Sequence, residues 1–277
     1  VVIQPETGWV PLDLVELWHY RELLGRLAIR DIKVRYKQTE LGIAWAILQP
    51  LMTTGLFAVL FGLLMGRGNE PGVDGTPYVL STFCAMLPWQ LFSESLLRSS
   101  DSLLQGKDLL TKVYFPRIAL PLAAVVTGLA DFLIAAVVLA ALMAVYGVVP
   151  SMGILLLPLL VLMAVAASLA VGLWLSALSA IYRDFRYIQP FVLQLGLFVS
   201  PVVYASSKVT ADMPDWAKVV YGLNPMVGVI EGFRWALLGA ADPPGVLFLP
   251  SLMMTLVLLV GGVYFFRRME RIIVDVI

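Results

Sequence analysis

Lysine and arginine are sorted along this chain: fifteen of its nineteen cations fall in alternate gaps between six long apolar runs, and only Arg67, Lys208, Lys218 and Arg234 fall in the other gaps. Such a chain is constrained to thread a bilayer, because cation-rich loops are retained on the cytoplasmic side. Arg21, Arg26, Arg30, Lys33, Arg35 and Lys37 precede the first run, and Arg98, Lys107, Lys112 and Arg117 fill the second gap. Arg183 and Arg186 lie in the fourth gap, and Arg267, Arg268 and Arg271 follow the last run. Both termini are therefore expected on the cytoplasmic side, and an even number of crossings agrees with their sharing one.

The runs cover residues 44 to 65, 77 to 97, 118 to 146, 154 to 178, 188 to 204 and 246 to 266. At about 1.5 Å per residue, each spans or nearly spans a hydrocarbon core of ~30 Å as a helix, the fifth being the shortest. The chain is 60% hydrophobic and 14% charged, well under the ~25% charged residues of soluble domains. It cannot supply the polar shell of a soluble helical core. The expected fold is an all-α membrane protein of six transmembrane helices, with residues 1–43 as a cytoplasmic N-terminal segment, 44–266 as the membrane domain and 267–277 as a cytoplasmic tail. The charges are sorted by side rather than gathered on one surface, which disfavours a nucleic-acid partner, and the lone Cys84 excludes an intrachain disulfide or a cysteine cluster.

Ahead of the first run, Asp13 is a plausible N-cap for a one-sided apolar stripe of Leu14, Leu17, Trp18, Leu24, Leu27 and Ala28, with charged residues between. That pattern predicts an amphipathic helix in the cytoplasmic interface, or one packed on another protein. Residues 98–117 are too long for a minimal turn. They predict a short helix with exposed leucines and the aromatic pair Tyr114 and Phe115, stopped by Pro116. Residues 179–187 form a second patch of aromatics and cations. Two such patches on one side suggest a soluble partner.

Between the fifth and sixth runs lie two helical signals, each too short to cross. The first follows Pro214 and stops at Gly222; the second has Asn224 as N-cap, Pro225 in its first position and Gly239 at its end. With Trp216, Tyr221, Phe233 and Trp235 they predict a re-entrant hairpin on the outer side, since irregular backbone survives at depth only inside protein or along a cavity. Asp131 falls near the centre of the third run, as a helix-packing residue or as a relay or substrate contact. Glu94 and Arg98 are spaced for a local ion pair, and His19 has no acidic or cysteine cluster near it.

The chain has no G-x-x-x-x-G-K-[ST] loop to cradle ATP, no H-E-x-x-H metal pair and no G-x-S-x-G nucleophile elbow. Catalysis by this polypeptide alone is not expected, nor is a metal site, and transport remains. A secondary transporter would need several midplane carboxylates and visible inverted repeats, which this sequence does not show.

Four stretches carry a resemblance: RYKQTELGIAWAILQP (35–50), KVYFPRIALPLAAV (112–125), YRDFRYIQPFVLQLGLFVSPVVY (182–204) and LNPMVGVIEGFRWALLG (223–239). Together they resemble the permease subunit of ABC-2-type polysaccharide exporters of the O-antigen kind, related to capsular polysaccharide and teichoic acid permeases. The resemblance implies a homodimer in the bacterial inner membrane, bound to two copies of an ATPase that holds the ATP and Mg, carrying a polyprenyl-pyrophosphate-linked polysaccharide. An ABC-2 exporter of a small molecule or lipid is the nearest alternative. It further implies an aromatic channel at the dimer interface, with Trp89, Phe92, Phe198, Tyr204, Tyr221 and Trp235 as candidates. Pro214, Trp216, Asn224, Pro225 and Phe233 would belong to a periplasmic gate. ATPase coupling falls to Asp108, Lys112, Tyr114, Phe115 and Arg117 in the first patch and to Tyr182, Arg183, Asp184 and Arg186 in the second. Arg30, Lys33, Arg35 and Lys37 are candidates for the lipid pyrophosphate, with anionic headgroups as the other explanation of their charge.

Overall fold

The computed structural model describes residues 14–37, 44–57, 59–60, 76–113, 115–239 and 245–276, and the described residues form helices and connections without strands. In order the helices are α1 (Leu14–His19), α2 (Arg21–Lys37), α3 (Ala44–Phe57), α4 (Tyr78–Gln105), α5 (Lys107–Leu110) and α6 (Ala119–Tyr146). There follow a 3₁₀ turn at Met152–Leu156, α7 (Leu157–Ile181), α8 (Asp184–Val199), α9 (Ser206–Thr210), α10 (Asp215–Gly222), α11 (Pro225–Leu238) and α12 (Gly245–Val276). Among the described residues three stretches are long and apolar enough to cross a membrane: Ala119–Tyr146, Met152–Ile181 and Gly245–Glu270. These coincide with the third, fourth and sixth runs. The second run lies within the 28-residue α4, whose later turns carry Glu94, Arg98 and Asp101. Of the first run only the part up to residue 60 is described.

Small residues determine how closely these helices approach. α4 is central, packed on both α6 and α7, and α7 packs in turn on α12. Ser95 and Ser99, one turn apart on α4, face Gly128 of α6 and Gly172 of α7. A Cβ on Gly172 would stand 2.6 Å from the Ser99 hydroxyl and 2.9 Å from its Cβ, so only glycine fits. In lipid, where tails are as apolar as leucine, such close backbone approach is a principal source of helix association. Along α7 and α12, the Trp174 indole donates to the Leu258 carbonyl at 3.2 Å and stacks on Phe265 at 4.5 Å between centroids. Gly261 and Gly262 make room for that ring.

Two expectations are corrected. The amphipathic segment is two helices broken at Tyr20 rather than one; Trp18 is exposed beneath the Arg21 guanidinium, and Leu27 and Ala28 are buried. The Asp13 cap lies outside the described residues. The fifth helix stops at Val199, not Tyr204: the Tyr204 hydroxyl turns back to the Phe198 and Val199 carbonyls at 3.1 and 2.9 Å and closes the helix end. The final helix continues through residues 267–276, with Ile273 buried in a cluster with Phe266, Phe115 and Leu27.

Replacing Gly172 with Ile should force α4 and α7 apart. The expected cost is about 1–3 kcal/mol, visible as a lower thermal unfolding midpoint in detergent; an unchanged midpoint would show that the α4–α7 contact is not as close as described.

Candidate functional site

Four charged side chains converge where α2, α4 and α6 meet. Arg98 Nη2 donates to Glu94 Oε2 at 2.5 Å and to Asp131 Oδ2 at 2.7 Å. Arg35, from the last turn of α2, donates to Glu94 Oε2 at 3.3 Å and also to Asp131. Gln49 of α3 adds a donor to Glu94 Oε1 at 3.3 Å. The spacing of Glu94 and Arg98 predicts their contact, but not that it is half of a four-membered network. Two guanidinium groups balance two carboxylates, and Asp131, on a helix that by itself would cost ~2.5–3.5 kcal/mol more to insert for carrying it, faces protein. A cavity of about 20 Å³ lies against this network, lined by Arg35, Gln49, Glu94 and Asp131. It has room for about one water.

The aromatic candidates fall into separate groups. Trp89 and Phe92 on α4 sit 5.6 Å apart between centroids, and Gly196 of α8 lets the Trp89 ring approach its backbone. They line a largely apolar cavity of about 340 Å³ between α4, α7 and α8, whose polar groups are Gln189, Ser200 and Asn224. Tyr204 and Tyr221 pair through their hydroxyls at 3.2 Å. Burial above all, and the Tyr204 hydroxyl after it, holds the Tyr221 phenol above its ordinary pKa, so it stays a neutral donor. Phe198 is exposed on α8. Trp235 lies apart, against Gly153, with its carbonyl bonded by the Ser151 hydroxyl.

Helices α10 and α11 form the expected short pair, and their turn is docked on α12. Asn224 caps α11 by accepting the Met226 N–H at 3.0 Å, and its amide donates to Ser200 Oγ at 2.9 Å. The Ser251 hydroxyl of α12 accepts the Gly228 N–H at 3.0 Å and stands within donor reach of the Gly222 and Asn224 carbonyls at 2.7 and 3.0 Å. Gly239 ends α11 with φ 67°, the left-handed conformation of a helix stop. Pro214 precedes α10, Pro225 opens α11, and Trp216 is exposed. Phe233, by contrast, is fully buried, edge-on to Phe132 of α6 at 6.1 Å, which makes it part of the core.

Arg234, counted among the cations of the gap between the fifth and sixth runs, is buried. It is 1% exposed, and it donates to the Val202 and Tyr204 carbonyls at 2.8 and 3.0 Å and to Glu231 at 3.0 Å. Glu231 also accepts the Ser206 N–H at 3.2 Å. The signal available in the sequence is the Glu231–Arg234 spacing inside an otherwise apolar helix. Gln189 is similar, a buried polar side chain bonded to Ser100 and Ser179 at 2.6 and 2.8 Å.

The two polar patches are brought together. Arg186 of α8 donates to Asp101 of α4 at 3.0 Å, and Tyr182 and Phe185 lie 6.3 Å apart between ring centroids. Asp108, Lys112, Tyr182, Arg183 and Asp184 are exposed. Phe115 is not: it is buried with Leu103 and Ile118, so the expectation of exposed leucines fails at Leu103, and Tyr114 lies outside the described residues. Leu103 is fully buried, and Leu109 and Leu110 pack against the same cluster. Arg117 donates to the Glu270 carbonyl at 2.7 Å, a tie between helix ends. Arg30 bonds its neighbour Asp31 at 2.9 Å, Lys33 and Lys37 are exposed, and Arg35 is held in the charge network.

Replacing Asn224 with Ala removes both the cap and the tie to Ser200. A loss of about 1 kcal/mol or more is expected, and Ser200→Ala in the same background should add little; independent, additive losses would show that the two side chains are not bonded.

The ABC-2 type transporter family signature matches residues 22–238. An O-antigen export system permease protein RfbA from Myxococcus xanthus is 33% identical over 219 residues, which cover 79% of this chain and 81% of that protein. A protein of the same name from Klebsiella pneumoniae is 28% identical over 214 residues, covering 77% of this chain and 79% of its own. With the signature spanning most of the sequence, and with helices fit to cross a membrane, this chain belongs to the ABC-2 type transporter family.

Proposed function

We propose that this chain is the permease of an ATP-driven exporter of lipid-linked polysaccharide of the O-antigen kind, acting as a homodimer with two copies of a separate ATPase in the bacterial inner membrane. The observation that carries the reading is the 33% identity to an O-antigen export permease along four-fifths of that protein's length. Six crossings with both termini cytoplasmic agree with the sorting of the cations. The α10–α11 pair would be a re-entrant outer hairpin. In support, its turn docks on Ser251, six residues into α12 and so about 9 Å from that helix's start.

Aromatic faces suit a moving polymer, since sugars offer apolar C–H faces that rings contact weakly and repeatedly. The Trp89–Phe92 cavity and the Tyr204–Tyr221 pair lie along α8 and would form one wall of such a path. On the other side of α8, Phe191, Leu195 and Phe198 are each more than half exposed in one subunit, a face suited to a second copy. The ATPase would dock on the joined patches. Asp108, Lys112, Tyr182, Arg183 and Asp184 are its accessible contacts, with Arg186 fixing their relative position through Asp101.

Replacing Tyr182 and Arg183 together with Ala should leave insertion and dimerisation intact while uncoupling hydrolysis from transport. In proteoliposomes holding both subunits, polymer export per ATP is expected to fall at least about ten-fold, about 1.4 kcal/mol of coupling. Export and hydrolysis both unchanged would contradict the docking site, and ATP hydrolysis by the purified permease alone would contradict the division of labour.

A further inference from the structure

We propose that residues 147–156, which join α6 to α7, form an anchor embedded among the acyl chains of the outer leaflet. From Phe132 to Tyr182 the sequence holds no Asp, Glu, Lys, Arg or His, so the connection is as free of charge as the helices it joins. Its side chains are nonetheless turned outward. Val149 is 82% and Met152 90% exposed, and the flanking Val145 and the following Leu155 are nearly as open. They continue the open apolar face of α6 at Leu133 and Val137, a face suited to lipid. The outer connection between α8 and α10 is of the opposite kind, with Lys208, Asp212 and, at the start of α10, Asp215 exposed.

Depth along the helices places the connection below the outer headgroups. The junction of Arg35, Glu94, Arg98 and Asp131 is partly exposed, and charges open to solvent lie at the inner edge of the hydrocarbon or beneath it. Asp131 is fifteen residues before Tyr146, the last of α6. Gly172, which faces Ser99 beside Arg98, is fifteen after Leu157, the first of α7. Each stretch rises at most about 22 Å, and tilt only lowers it, so about 8 Å of a ~30 Å core is left for the connection. At that depth backbone donors must be met within the chain. The Val148 and Gly147 N–H groups donate to the Met143 and Ala144 carbonyls at 2.9 and 3.3 Å, with Gly147 left-handed, the closed stop of a helix end. The Gly153 N–H donates to Ser151 Oγ at 3.1 Å, and Pro150 has no N–H to satisfy. The Ser151 hydroxyl in turn stands within donor reach of the Trp235 and Ala236 carbonyls at 3.0 and 3.1 Å, so the anchor holds the end of α11 at a depth set by lipid. The inference rests on the junction lying at the cytoplasmic side, as in the proposed function, and it is indifferent to the polymer carried.

The test uses the full-length permease in phosphatidylcholine nanodiscs, with Cys84→Ala as background and single cysteines introduced as Val149→Cys, Met152→Cys and, for the aqueous reference, Ser207→Cys. Each is labelled with bimane and quenched either by acyl-brominated phosphatidylcholine or by iodide in the buffer. Labels at 149 and 152 should be quenched by the brominated chains and spared by iodide, and the label at 207 should behave the opposite way. Iodide quenching at 149 and 152 as strong as at 207 overturns the proposal, because it places the connection in water. Quenching there by neither agent also overturns it, because a protein surface such as a second copy would then cover the patch. A second measurement needs no label. Val149→Asp and Met152→Asp alter open side chains, which a loop in water would tolerate. Each should lower the yield of monodisperse permease at least about five-fold relative to Ser207→Asp, less than a charge costs at the bilayer centre; equal yields contradict the anchor. Neither measurement uses ATP, polymer or an ATPase, so its failure and that of the export reading are separable.

Discussion

The junction of Arg35, Glu94, Arg98 and Asp131 is the interaction on which the arrangement of the first half of the chain depends. Two carboxylates on helices of a membrane protein cannot face lipid without a cost of several kcal/mol. The two guanidinium groups remove that cost only if the end of α2 is brought to α4 and α6. The charge requirement therefore fixes where a helix too short to span must sit. Its members are 16% to 32% exposed, between surface pairs worth under about 1 kcal/mol and buried pairs whose rupture costs about 3–5 kcal/mol. A contribution on the order of 2 kcal/mol for each broken partner follows from that intermediate position.

Around this junction the remaining packing divides into parts that are tightly held and a part that is not. α4, α6, α7 and α12 approach through glycine and serine, and α11 is fastened by Arg234 to residues 202–204 and through Gly228 to Ser251. These bonds fix position within a broad buried contact, since Met226, Val229, Ile230 and Phe233 of α11 lie in the same apolar core as α4, α6 and α7. α8 is different: its apolar residues from Ile188 to Val199 are mostly exposed. A hydrophobic face of this length in a single subunit is the surface on which lipid or another copy must lie.

Much of this was legible before any coordinates, for physical reasons that differ by element. α6, α7 and α12 are unbroken apolar runs, and length alone identifies them. The Asn224-Pro225 start and Gly239 end of α11 were legible because capping chemistry is local. Asp131 stood out as a charge in an apolar run, but its partner Arg35 lies 96 residues away, and no local rule links a basic segment before the first run to a carboxylate in the third. Arg234 falls in the gap between the fifth and sixth runs, and charge counting carries no information on its burial. The burial of Leu103 is not legible locally, because it lies in a cluster with Phe266 and Ile273 from the far end of the chain. The end of α8 is not marked in the sequence, because apolar residues continue past it, while Tyr204 closes the helix from outside.

A double-mutant cycle on Arg35 and Asp131 tests most directly whether the charge junction holds α2 to the membrane helices. Thermal unfolding in lipid nanodiscs would be compared for Arg35→Gln, Asp131→Asn and the double variant. The account predicts that each single variant loses stability and that the double variant loses little more than the worse of the two, a coupling of about 1–3 kcal/mol. Losses that simply add would mean that the two side chains act independently and that the position of α2 is set by something other than this network.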